Sequence, residues 1–99
     1  MKAIQVGNLV NLNVDIRPKQ KASIQNVTWG TIASDYHPRT LQNVCGYFVP
    51  TISALCTTMV CPVNIDTFGQ IRTPNNGAFG GITNITPSSS IEFSVTYAI

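Results

Sequence analysis

Leu9-Val10-Asn11-Leu12-Asn13-Val14-Asp15-Ile16-Arg17 is the stretch whose reading decides the fold class. Val10, Leu12, Val14 and Ile16 alternate with Asn11, Asn13, Asp15 and Arg17. Successive side chains of an extended chain point to opposite faces, so this run is a strand with one face buried and one wet. Gly7-Asn8 before it is a hairpin signal that folds Ala3–Val6 back against it. The C-terminal end repeats the pattern, with Ile91, Phe93, Val95, Tyr97 and Ile99 set against Glu92, Ser94, Thr96 and Ala98. A third alternating run, Met59–Asp66, passes through Thr67-Phe68-Gly69 as a tight turn into Gln70–Thr73. Pro62 cannot donate to a ladder, which predicts an edge strand or a bulge there. Val27–Ala33 and Val44–Val49 read as two more strands, and Gly80–Thr86 as a weaker one. Pro74-Asn75-Asn76-Gly77 and Pro87-Ser88-Ser89-Ser90 are turn or loop chemistry. No stretch keeps a helical period, and neither an internal repeat nor a low-complexity linker is present. The expectation is an all-β chain: one domain over residues 1–99, an antiparallel β-sandwich or small barrel of about 7–8 short strands.

Composition bears on association. Hydrophobic residues make up 43% of the 99 residues and charged ones only 10%, where about a quarter is usual. Such a deficit implies that surface which would be exposed in a monomer is covered by another chain. The net charge of +2 is small and scattered, which argues against a nucleic-acid partner. Only Arg17–Lys21 concentrates positive charge, and it reads as a solvated hairpin loop. Nothing approaches the roughly 20 apolar residues of a membrane span, so no membrane insertion is expected. The start, Met1–Asn8, is too polar for a signal peptide. It reads as cytosolic synthesis or as a domain cut from the C-terminus of a longer chain, and its beginning almost directly in a strand favours the second.

The residues that could carry chemistry have simpler explanations. Cys45, Cys56 and Cys61 are an odd number, which argues against a complete disulfide framework. Cys61 continues an apolar alternation and reads as a small buried hydrophobe, while a Cys56–Cys61 disulfide stays open. A zinc site would need a fourth ligand, and only His37 is spare. Of the four acids, Asp15 and Glu92 lie on wet strand faces, leaving Asp35 and Asp66 with nothing to bring them together. His37 precedes Pro38 in a loop-like segment, where exposure is the ordinary reading. No catalytic residue, cofactor or metal is expected.

The loops are rich in Asn, Asp, Ser, Thr, Gly, Tyr and Trp, the mixture that meets sugar hydroxyls and the apolar face of a sugar ring. Trp29 is either a core anchor or such a ring platform. Trp29-Gly30-Thr31-Ile32, Asp35-Tyr36-His37-Pro38, the run Val63-Asn64-Ile65-Asp66-Thr67-Phe68-Gly69-Gln70-Ile71 and the closing Phe93–Ile99 follow one another in order. In that order the chain from Val27 to Ile99 resembles the C-terminal receptor-binding heads of bacteriophage tail fibres and tail-tip proteins. The resemblance implies a homotrimer at the end of a fibre, located in the virion and made in the host cytoplasm. Its implied partners are other tail proteins and a saccharide or other receptor on the bacterial surface. It also implies a ligand-binding set. Asp66 matches the acidic strand end of these heads, Asn64 stands where they carry histidine, and Pro62 replaces an aromatic. Arg72 lies nearest the missing tryptophan, with Trp29 and His37 as further candidates. The plain reading of Asn64 and Asp66, a wet strand face and a turn-starting acid, stands beside the functional one. A structural virion module (decoration, collar or fibre shaft) and a lectin-like adhesin domain are the rival functions.

Overall fold

The computed structural model describes residues 1–50, 59–74 and 83–99. Nine strands follow in order: β1 Lys2–Val6, β2 Leu9–Ile16, β3 Ala22–Ser23, β4 Val27–Thr31, β5 Gln42–Val49, β6 Met59–Ile65, β7 Gln70–Thr73, β8 Asn84–Ile85 and β9 Ser90–Ala98. A single 3-10 turn, Ser34–Tyr36, interrupts the described strands. Seven strands form one antiparallel sheet in the order β1-β2-β9-β5-β6-β7-β4, and β3 with β8 forms a small second sheet. The large sheet curls. Met1, Ala3 and Leu12 at its β1 end share a cavity of about 300 Å³ with Ile32, Ala33 and Tyr36, which follow β4 at the other end. All-β, antiparallel and barrel-like therefore describes the chain.

Alternation decides which face goes inside. Val10, Leu12 and Val14 of β2 are buried while Asn13 and Asp15, which alternate with them, are exposed. β9 lies in register beside it, Val10 opposite Tyr97 and Val14 opposite Phe93, so the apolar sets of the two strands coincide. Val63 and Ile65 of β6 and Ile71 of β7 continue the same face. Ile85 of the small sheet and Ile24, which follows β3, are fully buried and join the core. Trp29 is 7% exposed and meets Phe48 edge-on at 6.2 Å between ring centroids. Its indole N–H donates to Thr73 Oγ1 at 3.1 Å, and that hydroxyl donates to the Ile24 carbonyl at 2.6 Å. Burying the only tryptophan thus leaves no polar atom of the ring unmatched.

Three sequence expectations need adjustment. β6 is not an edge strand, because it lies between β5 and β7. Its ladder with β7 spans only Asn64 and Ile65, however, so Pro62 sits beyond that ladder, with β5 as its described neighbour and no N–H missed. Arg17–Lys21 is not a hairpin loop; it carries the chain from β2 in the large sheet to β3 in the small one. The weak strand expected over Gly80–Thr86 is represented by Asn84–Ile85, and residues 80–82 lie outside the described residues.

Candidate functional site

The β6–β7 hairpin carries three of the five candidate residues, and its backbone explains one of them outright. The Gly69 N–H donates to the Asp66 carbonyl at 3.0 Å, and the Asp66 N–H donates to the Gln70 carbonyl at 3.2 Å. Gly69 has φ +78°, the left-handed conformation that closes a three-residue hairpin loop with a bulge. Asp66 Oδ1 accepts from the backbone N–H groups of Phe68 at 3.0 Å and Gln70 at 2.9 Å. An aspartate that binds the backbone two residues on is ordinary turn chemistry. Asp66 therefore holds the hairpin tip in shape.

His37 holds the same tip from below. Its Nε2 lies 2.9 Å from the Ile32 carbonyl, and since a carbonyl only accepts, the ring proton sits on Nε2. The Ile32 N–H in turn donates to the Gly69 carbonyl at 2.8 Å. A Cβ on Gly69 would stand 2.5 Å from His37 Cδ2, so the glycine is required for space as well as for its φ. His37 and Trp29 are thereby placed as packing residues, the one half-buried under the hairpin and the other in the core.

Asn64 and Arg72 come together. They are direct cross-strand partners, and they point outward because Val63, Ile65, Ile71 and Thr73 on either side point in. The Arg72 guanidinium is already occupied by protein. Nη1 donates to Thr28 Oγ1 at 3.0 Å and to Gln70 Oε1 at 3.4 Å, and Nη2 donates to both oxygens of Asn26. Asn26 has φ +53°, which asparagine tolerates better than most residues, and Arg72 clasps that turn. Asn64, by contrast, makes no side-chain hydrogen bond among the described residues.

Sequence reasoning missed Phe68. It is 74% exposed at the apex of the hairpin, an aromatic ring held in water by the turn that Asp66 and Gly69 fix. The signal was there to read: a Phe between an Asp-started turn and its closing Gly has no strand face to bury itself in. The site the structure offers is thus Phe68 at the tip, the outward-facing carboxamide of Asn64, and the Arg72–Thr28–Asn26 row beside it.

Two other features of the outward face bear on association. Ile4, Val6 and Leu9 are 48%, 76% and 50% exposed, and Val6 lies directly opposite Leu9 on the edge hairpin. Tyr47 faces Val60 across β5 and β6, both more than half exposed. Cys45 is exposed and Cys61 buried, both as free thiols; they stand on opposite faces of the sheet. Burial, with a smaller contribution from neighbouring Cys45, pushes the Cys61 thiol up to about 11, so it stays protonated at neutral pH. Cys56 lies outside the described residues, but Cys61 is a free thiol, so the Cys56–Cys61 disulfide left open by the sequence is not formed in this structure. Compared with models of known protein families, with curated proteins and with solved structures, the chain matches none of them.

Proposed function

We propose that the chain is a non-catalytic recognition head, a homotrimer at the tip of a bacteriophage tail fibre or tail, which adsorbs to a saccharide on the bacterial surface. The observation that carries the binding part is the hydrogen-bonded β6–β7 hairpin. It carries an exposed aromatic ring, Phe68, at its apex and, on its outward face, Asn64, whose carboxamide makes no hydrogen bond among the described residues. An aromatic face covers the apolar side of a sugar ring, and a carboxamide both donates to and accepts from its hydroxyls. Asp66 acts indirectly, by setting the position of Phe68, and Arg72 acts by fixing the row behind Asn64. The order of motifs from Val27 to Ile99 supports the phage part of the reading.

Association is supported separately by the exposed apolar residues Ile4 and Val6 on β1, a sheet edge with no outer ladder partner among the described residues, and by Leu9 beside them on β2. Edges of that kind are usually covered or charged in a monomer. Weak single sites are sufficient in a trimer, because several sites engaging at once multiply the affinity. The same residues would also serve a purely structural virion module, which is the second reading. Sedimentation and pull-down with intact bacterial cells or their wall polysaccharide separate the two. A recognition head sediments as a trimer and adsorbs to cells of a host strain, and Phe68→Ala or Asn64→Ala weakens adsorption without altering the trimer. A trimer that adsorbs to no cells across a panel of hosts is the result expected of an assembly module.

A further inference from the structure

We infer that a second site lies along the free edge of β4: a cavity that selects a single sugar ring bearing a carboxylate or phosphate group. β4 is the last strand of the large sheet, so one of its edges has no ladder partner among the described residues. A cavity of about 560 Å³ runs along that edge, inside the roughly 300–1,000 Å³ range of small-molecule sites. One wall is the edge itself, the consecutive residues Val27–Thr31, and the other is the segment Arg17–Gln20.

The charge on these walls is one-sided. Arg17 and Lys19 are two of the six cations of the chain, and none of its four acids lines the cavity. Two cations with no counter-charge between them favour an anion. Gln20, Thr28 and Thr31 supply hydroxyl-matching groups, and Pro18, Trp29 and Ile85 an apolar base. Thr28 adjoins the hairpin site, since its Oγ1 accepts from Arg72.

The shape argues against a longer ligand. The ladder between β4 and β7 shifts register between Thr28 and Gly30, and such a bulge bends an edge away from an added strand. Arg17–Gln20 already faces this edge, and its Pro18 has no N–H to offer an added strand. A compact anion with hydroxyls fits what remains better than an extended peptide does.

The inference rests on reading the chain as a recognition module, but it can fail without that reading failing. Trp29 is the only tryptophan and lines the cavity, so its fluorescence and its indole N–H resonance report on this site. Glucuronic acid, glucose 6-phosphate, glucose and inorganic phosphate are titrated in turn. Both acidic sugars are expected to give a saturable change, with dissociation constants on the order of 1 mM, as befits ligands of this size. Glucose and phosphate alone should bind at least about tenfold more weakly, and Arg17→Gln with Lys19→Gln should cost the acidic sugars a similar factor. Lys19→Met alone gives a smaller loss and serves if the double variant does not fold. Phe68→Ala should leave all four titrations unchanged. Equal binding of glucose and the acidic sugars, equal binding of phosphate and glucose 6-phosphate, indifference to the removal of Arg17 and Lys19, or no saturable response would each overturn the inference. Adsorption to cells that persists in the face of any of these results leaves the hairpin site standing.

Discussion

The two best-defined hairpins of this chain have the same local requirement and opposite surroundings. β1 and β2 are joined by Gly7-Asn8, with Gly7 at φ +59° and Asn8 at negative φ, a two-residue turn that starts on a glycine. β6 and β7 are joined through Gly69 at φ +78°. A Cβ on Gly7 would meet nothing within 4 Å, whereas one on Gly69 would strike the His37 ring and press on the Ile32 carbonyl at 3.1 Å. The first turn is open around its glycine and is touched lightly, by the Gln5 carboxamide donating to the Gly7 carbonyl and the Ile99 N–H donating to the Asn8 carbonyl, each at 2.9 Å. The second is gripped by the protein around it, which is what a hairpin needs if it is to present Phe68 and Asn64 in a fixed position. Rigid support from neighbouring elements is the common condition of a site that binds with few groups.

Substitutions can break or sharpen that contrast. Gly69→Ala should be the most damaging, losing about 3–4 kcal/mol in denaturant unfolding, from left-handed strain plus the clash with His37. In a His37→Ala background the further cost of Gly69→Ala should fall to about 1–2 kcal/mol, since most of the steric part has gone. If the cost is undiminished, the grip attributed to His37 is wrong. Asp66→Ala leaves the Phe68 and Gln70 N–H groups without their acceptor and should cost about 2 kcal/mol, measured the same way. Gly7→Ala pays only for backbone strain, about 1 kcal/mol, and should leave adsorption to cells unchanged while Asp66→Ala weakens it. Asn8→Ala, at the open turn, should change stability by less than about 0.5 kcal/mol.

The core was legible at the residues where alternation is cleanest. Val10, Leu12 and Val14 are inside as their spacing requires, and so is Cys61. Val95 is an instructive departure. It keeps the period of Ile91, Phe93 and Tyr97 yet is only half-buried, opposite Leu12 in the ladder. Period fixes a face, but how deeply each residue on that face sinks depends on what the curling sheet brings over it. The candidate site was legible in part. Asn64 and Arg72 do meet across a ladder, which their equal distance from the turn implies. The roles of His37 and Trp29 were not readable as positions, because their partners, Ile32 and Gly69 for the one and Thr73 and Phe48 for the other, are set by long-range packing.

By itself the sequence determined the local terms of this protein. Two-residue alternation selected strands, and Gly7-Asn8 and Asp66–Gly69 selected turns. These are properties of a few consecutive residues, so they need no knowledge of the rest. The tertiary structure alone decided the order of strands, and with it that β6 is interior and β4 an edge. It decided that Arg17–Gln20 faces β4 across a cavity rather than capping a hairpin. It also decided that Phe68 stands free while Trp29 does not. Strand order depends on contacts between residues far apart in the chain, and local pattern carries almost no information about which of many antiparallel pairings buries the most apolar surface at once.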